Sequence, residues 1–514
     1  MRRPAAVFAV LFVVLAAAVL GVAVGPMVAS DPVEAQSGSE PDWREYDADD
    51  EIEVDDADGL DDDELEAVVS RAMVRVEEIR GVEFEERPSV TVVTRAEFQE
   101  EYDGLGGEPT DGNAAFQNAK YRALFLAGDD QDATDARSEN QGTSVAGFYA
   151  PSTGEIVIVA DGDRPRMNEP ILAHELYHAY QDGRWGLANY DAATQDGRNA
   201  QLGLIEGDAV YVESLYERRC GEEWDCVIPV DDAETGEVDR PSQPANVGIL
   251  LLDFQPYDDG PAFVETIHET EGWDGVNALY DAPPETTEQV ISPEAYPDDE
   301  PREVAVEDDH GERWERVRPD GRPDHGRLGM AAITTAFVHP LYDSGGEESV
   351  IPADDWFTSE GELPPYGALN YESEYATGWD GDRFHAYQRE DGRLGYVWRI
   401  AWDSPADAET FLEGFDELLA YWGGERVESD TYVVDEGGYE GAYHVESEDG
   451  VVTITHAPTV DALTEVYADA EPGSGDPVDG GDEENPTDEL PGFGITVAVA
   501  VVALLAAGYF VVRR

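Results

Sequence analysis

The chain has 514 residues, of which 31 are lysine or arginine and 115 are aspartate or glutamate, so its formal charge is −84. This balance argues against a nucleic-acid-binding protein, because phosphate contacts require clustered cations and the chain has a single lysine, Lys120. An apolar fraction of 41% and ten tryptophans indicate a sizeable core and argue against a wholly disordered chain.

The acidic residues are spread along the whole sequence rather than gathered in one tail. Such a chain repels itself in ordinary salt, whereas at molar salt the screening length falls to about 3 Å. The composition resembles that of proteins from salt-loving archaea. We therefore interpret the acidity as adaptation to the solvent and not as a recognition surface.

The N-terminus has the pattern of a secretory signal. Two arginines precede an apolar run over 4–29, and small residues and an acidic stretch follow. We predict a signal peptide over 1–35, with cleavage near Ala29 or Ala35, and an uncleaved anchor as the alternative. The acidic residues 36–63 are expected to form a linker.

The first elements of the folded region follow from their hydrophobic periodicity. Apolar residues recur at helical spacing over 64–80, and Ser89–Thr94 reads as a buried strand. Two apolar runs, 145–149 and 156–159, flank a short polar segment containing Gly154. This pattern predicts a β-hairpin in which Gly154 supplies the turn.

The chemistry of the chain is concentrated in a helix predicted from Pro170 to Gly183. His174 and His178 lie one turn apart on one face of this helix, and Glu175 follows the first histidine. The spacing is the His-Glu-x-x-His arrangement of zinc peptidases, in which the two imidazoles bind one metal ion. The alternative is a pair of structural histidines on an amphipathic helix.

A catalytic zinc site needs a third protein ligand. Position 184, six residues after the second histidine, is Arg184, which excludes the metzincin pattern. Glu206, in a second helix predicted from 199 to 218, is the better candidate, with Glu213 as the alternative.

Together these residues resemble the gluzincin clan, the thermolysin-like zinc peptidases. The resemblance implies His174, His178 and Glu206 as Zn²⁺ ligands and Glu175 as the general base. It also implies a zincin-like α+β domain over 64–290, with a mixed sheet whose edge strand lies above the active-site helix.

Some details remain open under this resemblance. Asp208 is expected to be an outer partner of a zinc-bound histidine, or else a surface acid. Tyrosine stabilises the oxyanion in the clan, and the donor here is not assigned. The candidates for that donor are Tyr211, Tyr257, His268 and His385.

Cys220 and Cys226 are the only cysteines and lie close together in a Gly- and Glu-containing loop. Outside the cell such a pair is expected to form a local disulfide. Zinc binding by the pair is the lesser alternative, because no second pair completes a site.

Beyond this region we predict an acidic, proline-rich insert over 291–327 and a smaller C-terminal α+β domain over 328–468. An acidic stalk over 469–490 leads to Pro491, Gly492 and Phe493, an uncharged segment over 494–512 and two arginines. That segment is long enough to span a bilayer, and the arginines favour the cytoplasmic side.

The C-terminal order resembles the PGF-type sorting signal of haloarchaeal surface proteins. The resemblance implies that a membrane transpeptidase removes the helix within 491–514 and that a lipid anchor replaces it. A plain transmembrane anchor is the alternative, and it gives the same location. We therefore expect a secreted protein held at the outer face of the cell membrane.

The sequence thus predicts a cell-surface zinc metallohydrolase that acts on a peptide or protein substrate. Glu175 would accept the proton of a zinc-activated water and pass it to the leaving amine. The first alternative is a catalytically silent envelope protein built on the same fold. The second is a calcium-binding module, although the acidic stretches lack the spacing of a calcium loop.

Overall fold

A computed structural model describes most of the chain. The described residues are 10–11, 43–54, 59–102, 110–144, 147–160, 164–228, 244–359, 364–473 and 509–510. Apart from residues 10–11, the predicted signal peptide lies outside these ranges, as do the sorting residues Pro491, Gly492 and Phe493 and most of the segment that follows them. No helix among the described residues has both the length and the hydropathy needed to cross a membrane.

The described strands form three sheets of two, three and seven strands. The strands are β1 (Val10–Leu11), β2 (Ser89–Thr94), β3 (Gly147–Ala150), β4 (Glu155–Ala160), β5 (Trp314–Arg316), β6 (Trp379–Arg389), β7 (Leu394–Trp402), β8 (Gly424–Glu428), β9 (Thr431–Val434), β10 (Gly441–Glu448), β11 (Val451–Ala457) and β12 (Tyr509–Phe510).

More of the described residues are in helices than in strands. The α-helices are α1 (Asp62–Arg80), α2 (Arg95–Tyr102), α3 (Asp111–Ala123), α4 (Ala133–Ser144), α5 (Glu169–Trp185), α6 (Gln195–Arg219), α7 (Val247–Leu279), α8 (Thr287–Ile291), α9 (Met330–Asp343), α10 (Ala353–Trp356), α11 (Pro405–Tyr421) and α12 (Val460–Val466).

The small sheet lies beside the histidine helix. Its order is β2-β4-β3, with β2 parallel to β4 and β3 antiparallel to it, so β3 is an edge strand. The predicted hairpin is confirmed, and Gly154 provides the turn at φ 71°, a conformation that costs glycine little. The predicted strand at Ser89–Thr94 is confirmed as β2.

Helices α6 and α7 approach each other closely because glycines face glycines. A Cβ atom on Gly207 would overlap the backbone of Gly260, and one on Gly260 would overlap the backbone of Gly203. Pro256, inside α7, has no N–H, so the carbonyl of Leu252 one turn earlier lacks its helical donor. The side-chain amide of Asn199 on α6 donates to that carbonyl at 2.8 Å.

The seven-stranded sheet has the order β5-β6-β7-β11-β10-β9-β8 and is antiparallel throughout. Its inner face shares one apolar core with α3, α7, α9 and α11, as in the ring pairs Phe116–Phe384 and Phe125–Tyr443. The opposite face of the sheet packs against α12 in a second apolar cluster that includes Trp314, Tyr387 and Leu463. The separate C-terminal domain over 328–468 stays a prediction.

Two segments outside the predicted domains also pack against the fold. Residues 43–54, within the predicted linker, lie on α1, where Trp43 is buried and the carbonyls of Ala48 and Asp50 accept from Arg75 and Arg71. The apolar side chains and these buried guanidinium groups hold the segment in place. Residues 314–316, within the predicted insert, form the outer strand β5 of the large sheet.

Candidate metal centre

The histidine helix α5 is fixed at its start by local signals. The side chain of Asn168 caps the first turn by accepting from the N–H of Ile171, and Pro170 occupies the first turn, where its missing N–H costs nothing. The helix is packed on both sides, so His174, Glu175 and His178 are all buried.

Helix α6 brings Glu206 to the two histidines. Its Oε2 lies 3.2 Å from His178 Nε2 and 3.5 Å from His174 Nε2, and the two Nε2 atoms are 3.0 Å apart. All three residues are buried. Two imidazole nitrogens and one carboxylate oxygen thus converge on a single point inside the protein.

The spacing of these three atoms fits a small tetrahedral ion. Zinc binds nitrogen and oxygen at about 2.0–2.2 Å, so two ligands at the tetrahedral angle are about 3.3 Å apart. The three observed separations, 3.0 to 3.5 Å, bracket this value. The donor set, two neutral imidazoles and one carboxylate, is also one that zinc accepts.

Each histidine has a second partner that holds its ring. His174 Nδ1 lies 3.1 Å from Glu213 Oε2, and His178 Nδ1 lies 2.6 Å from Gln181 Oε1. These contacts direct the Nε2 atom of each ring toward Glu206, as the outer partners of metal-bound histidines do. Glu213, weighed from the sequence as a possible ligand, thus occupies an outer position.

Asp208 does not perform the role expected from the sequence. It contacts no histidine among the described residues, and its Oδ2 instead accepts from Tyr177 at 2.6 Å and from Tyr280 at 2.9 Å. The buried guanidinium of Arg80 lies 3.3 Å from the same oxygen. Residue 208 is two positions after Glu206, so its side chain leaves α6 on another face, toward α1 and α7.

Asp208 is nevertheless linked to His178 through two residues. Tyr280 donates to Asp208 and accepts from Gln181 Nε2 at 2.7 Å, while Gln181 Oε1 contacts His178. Sequence reasoning missed Gln181, although a polar residue three positions after the second histidine lies on the same helical face.

Glu175 is held by the edge strand. Its Oε2 accepts from the backbone N–H of Tyr149 in β3 at 2.7 Å, while its Oε1 is buried without a hydrogen-bond partner among the described residues. Burial raises the pKa of Glu175, and the neighbouring His174 and His178 oppose that increase. The general-base candidate therefore has one oxygen fixed and one free.

The charges of the cluster favour a cation. Burial would raise the pKa of Glu206, but His178 and His174 beside it lower that pKa to about 2. Burial would lower the pKa of His174, but Glu206 and Glu213 raise it well above its ordinary value. The carboxylates thus stabilise positive charge here, whether as a proton or as a metal ion.

Of the four candidates for an oxyanion donor, Tyr257 is the one placed at the cluster. Burial raises its pKa well above the ordinary value, together with the charges of Glu206 and Glu175 and a hydrogen bond with Glu206. Tyr211 instead pairs with His268 Nδ1 at 3.1 Å, and His385 lies in β6 of the large sheet.

The disulfide loop supports the start of the histidine helix. Cys220 and Cys226 are bonded to each other, and the following residue, Val227, exchanges two hydrogen bonds with Glu169 at the first position of α5. Glu169 also binds the buried guanidinium groups of Arg71 and Arg75 at 2.7 and 2.8 Å. The histidine helix is thereby tied to α1 and to the end of α6.

In comparisons with known proteins, only the C-terminal part of the chain matches a family. Residues 315–467 match a family described as a domain of unknown function (DUF8575). No curated protein matches the chain significantly, and no solved structure does so either. The matched residues form most of the large sheet, whereas His174, His178 and Glu206 lie outside them.

Proposed function

We propose that this protein is a zinc-dependent hydrolase that cleaves peptide bonds at the outer face of the cell membrane. The observation that supports it most is the convergence of His174, His178 and Glu206 with the separations of a tetrahedral zinc site. Glu175 lies beside this convergence with one free carboxylate oxygen, as a general base requires.

The residues divide the work of such a reaction. His174, His178 and Glu206 would hold the ion, which supplies a water of lowered pKa and polarises a carbonyl. Glu175 would take the proton of the attacking water on Oε1, while the Tyr149 N–H keeps its Oε2 in place. Tyr257, which lies beside Glu206 and Glu175, would donate to the oxygen that gains charge in the transition state.

Strand β3 would align the substrate. It is the edge of the small sheet, pairs with β4 on one side only, and touches Glu175 through the N–H of Tyr149. An extended peptide binds such an edge by adding a strand, and its backbone is then recognised irrespective of sequence. This geometry favours a peptide over a compact small molecule as the substrate.

One observation favours the rival, a catalytically silent envelope protein. Glu206 is fully buried, and His174, Glu175 and His178 have exposures of only 2 to 4%. A structural metal site is closed in this way, whereas a catalytic site keeps one position for water and substrate. The rival predicts that removal of the metal unfolds the protein and that no peptide is cleaved.

The deciding experiment measures zinc content and cleavage of a peptide library in molar salt for the wild type, Glu175→Gln and His178→Ala. We expect one zinc per chain in the wild type and in Glu175→Gln, with hydrolysis reduced roughly 10²- to 10⁴-fold in the latter. His178→Ala should lose the metal. A zinc-loaded wild type that cleaves nothing would support the silent rival.

The surface location rests on the sequence features at both ends of the chain. Replacement of Pro491, Gly492 and Phe493 by alanine would abolish processing at a PGF-type signal, so the unprocessed, heavier chain should accumulate. Mass spectrometry of the membrane fraction distinguishes this outcome from a plain anchor, for which the substitution changes nothing.

A further inference from the structure

A cationic cluster lies between α3, α4 and α6, in a chain where acids outnumber bases almost four to one. Its members are the only lysine, Lys120, with Arg137 and Arg198, and Arg322 stands next to Arg198. Such crowding of like charges destabilises a fold unless something opposes it. The cluster therefore calls for an explanation other than solvent adaptation.

The carboxylates around the cluster do not neutralise it. Asp253 pairs with Arg137 at 2.8 Å, and Asp191 is shared by Arg322 at 2.8 Å and Arg198 at 3.4 Å. Lys120 donates to a neutral amide, that of Gln195. Among the residues that the structure describes, these four basic side chains thus have two acids as ion-pair partners. Burial together with Arg137 and Arg322 lowers the pKa of Arg198 to about 10, which reflects the excess of positive charge.

The members of the cluster differ in their exposure to solvent. Lys120 is 4% exposed and lies beneath, where burial, together with the charges of Arg137 and Arg198, lowers its pKa well below the ordinary value. The side chains of Arg137 and Arg198 retain 24% and 18% exposure, so both are in part accessible to solvent. A guanidinium presents paired N–H donors that match the two oxygens of a carboxylate.

The cluster adjoins the metal centre through α7. Asp253, the partner of Arg137, is four residues before Tyr257, so the two share a face of that helix about one turn apart. Tyr257 in turn faces Glu206 and Glu175. A substrate group at Arg137 would thus be on the order of 10 Å from the reacting bond, a span of about three extended residues.

We infer that Arg137 and Arg198, with Lys120 beneath them, form a subsite that binds a carboxylate of the substrate near the proposed metal centre. This inference rests on the proposed peptidase function and names its preferred substrates, which are peptides with an anionic group a few residues from the cleaved bond. The carboxylate could be the C-terminus of the peptide or an acidic side chain.

Binding can be tested without turnover, in the zinc-loaded Glu175→Gln protein in molar salt. The probes are three acetylated peptides of one sequence: one with a free C-terminus, one amidated, and one amidated with glutamate at the last position. Calorimetry should show that one or both anionic peptides bind at least about tenfold more tightly than the neutral amide. The anionic peptide that binds more tightly identifies the source of the carboxylate.

The variants use an arginine that supports little structure. Arg198 has one ion pair in the described part of the chain, with Asp191 at 3.4 Å. Arg198→Gln should remove the preference, and Arg198→Glu should reverse it toward a peptide ending in lysine amide. Arg393→Gln, on the remote β6–β7 turn, removes the same charge and should leave the preference intact. Circular dichroism and zinc content verify that each variant is folded.

Three outcomes would overturn the subsite. The three peptides could bind equally, none of them could bind, or the preference could survive in both Arg198 variants. Failure of the proposed function would give a different result from failure of the subsite, because the wild type would then lack zinc or cleave no peptide. Cleavage that ignores carboxylates would leave the peptidase proposal standing and remove only this subsite.

Discussion

At the scale of single residues, three consecutive positions of α6 have separate tasks. Glu206 faces the two histidines, and Gly207 allows α7 to pack closely against α6. Asp208 binds Arg80 and two tyrosines on another side of the helix. Consecutive helical residues point about 100° apart, so neighbours in sequence reach different partners. The Glu-Gly-Asp order is therefore explained by three different contacts and not by one shared site.

The outer partner of His174 gives a prediction with a matched control. Glu213→Ala removes the contact between Glu213 Oε2 and His174 Nδ1, so the ring should be less well oriented and zinc affinity should fall roughly 10- to 100-fold. Glu223→Ala, ten residues further along the chain, removes an exposed carboxylate whose ion-pair partner is Arg219 at 3.9 Å, and it should leave affinity unchanged. Competition with a chelator measures both, and equal affinities would refute the assigned role.

At the scale of elements, the decisive contact is the close pairing of α6 and α7. Three glycines permit it, and it carries Tyr257 to the carboxylates of the cluster. The length of α6 and the histidine spacing of α5 were predictable from sequence. The pairing was not, because a glycine inside a helix signals a weak helix as readily as a close contact.

We expect Gly207→Ala to destabilise the protein by about 1–3 kcal/mol, because the added methyl overlaps the backbone of Gly260 and neither helix can yield without moving its neighbours. Gly183→Ala provides the control. Gly183 is exposed on α5 with no atom near its Cβ position, so alanine there should stabilise by up to about 1 kcal/mol. Urea unfolding in molar salt measures both changes, and a stabilising Gly207→Ala would contradict the packing argument.

At the scale of the whole molecule, charge determines the conditions under which the fold exists. A formal charge of −84 destabilises any compact state through self-repulsion. Several of the few basic side chains, such as Arg71, Arg75 and Arg80, are buried in ion pairs with carboxylates. Surface repulsion remains for the solvent to screen.

Stability should accordingly depend on salt. Between molar salt and about 0.1 M the screening length grows from about 3 Å to about 10 Å, so the temperature of unfolding should fall steeply. Sodium and magnesium chlorides at equal ionic strength should act alike in a thermal unfolding series. Full restoration by low calcium alone would instead support a calcium-binding module.

Stability should also decrease as the pH rises from about 4 to about 8. Burial and neighbouring carboxylates, among them Asp196, raise the pKa of Asp382 to about 6 and that of Glu288 to about 8. Unfolded aspartate and glutamate titrate near pH 4, so between about pH 4 and pH 8 the folded chain binds more protons. The contribution of these groups to the free energy of unfolding is then largest below about pH 4 and is lost as pH rises through 6 and 8.

Urea unfolding at pH 5 and pH 8 in constant molar salt tests this sign. Glu288→Gln should flatten the dependence at its upper end, whereas Glu285→Gln, an exposed neighbour, should not. A free energy of unfolding that increases toward pH 8 would show that other groups dominate.

What the sequence determined by itself is local. The extent of α1, the hairpin with Gly154 and the same-face placement of His174 and His178 all follow from periodicity and turn chemistry, which act over a few residues. Only the tertiary structure decided what meets across the chain: Glu206 with the histidines, Tyr257 with Glu206, and the large sheet with α3 and α9. Such contacts depend on how helices pack, and a single residue such as Gly207 controls that packing without leaving a distinctive pattern in the sequence.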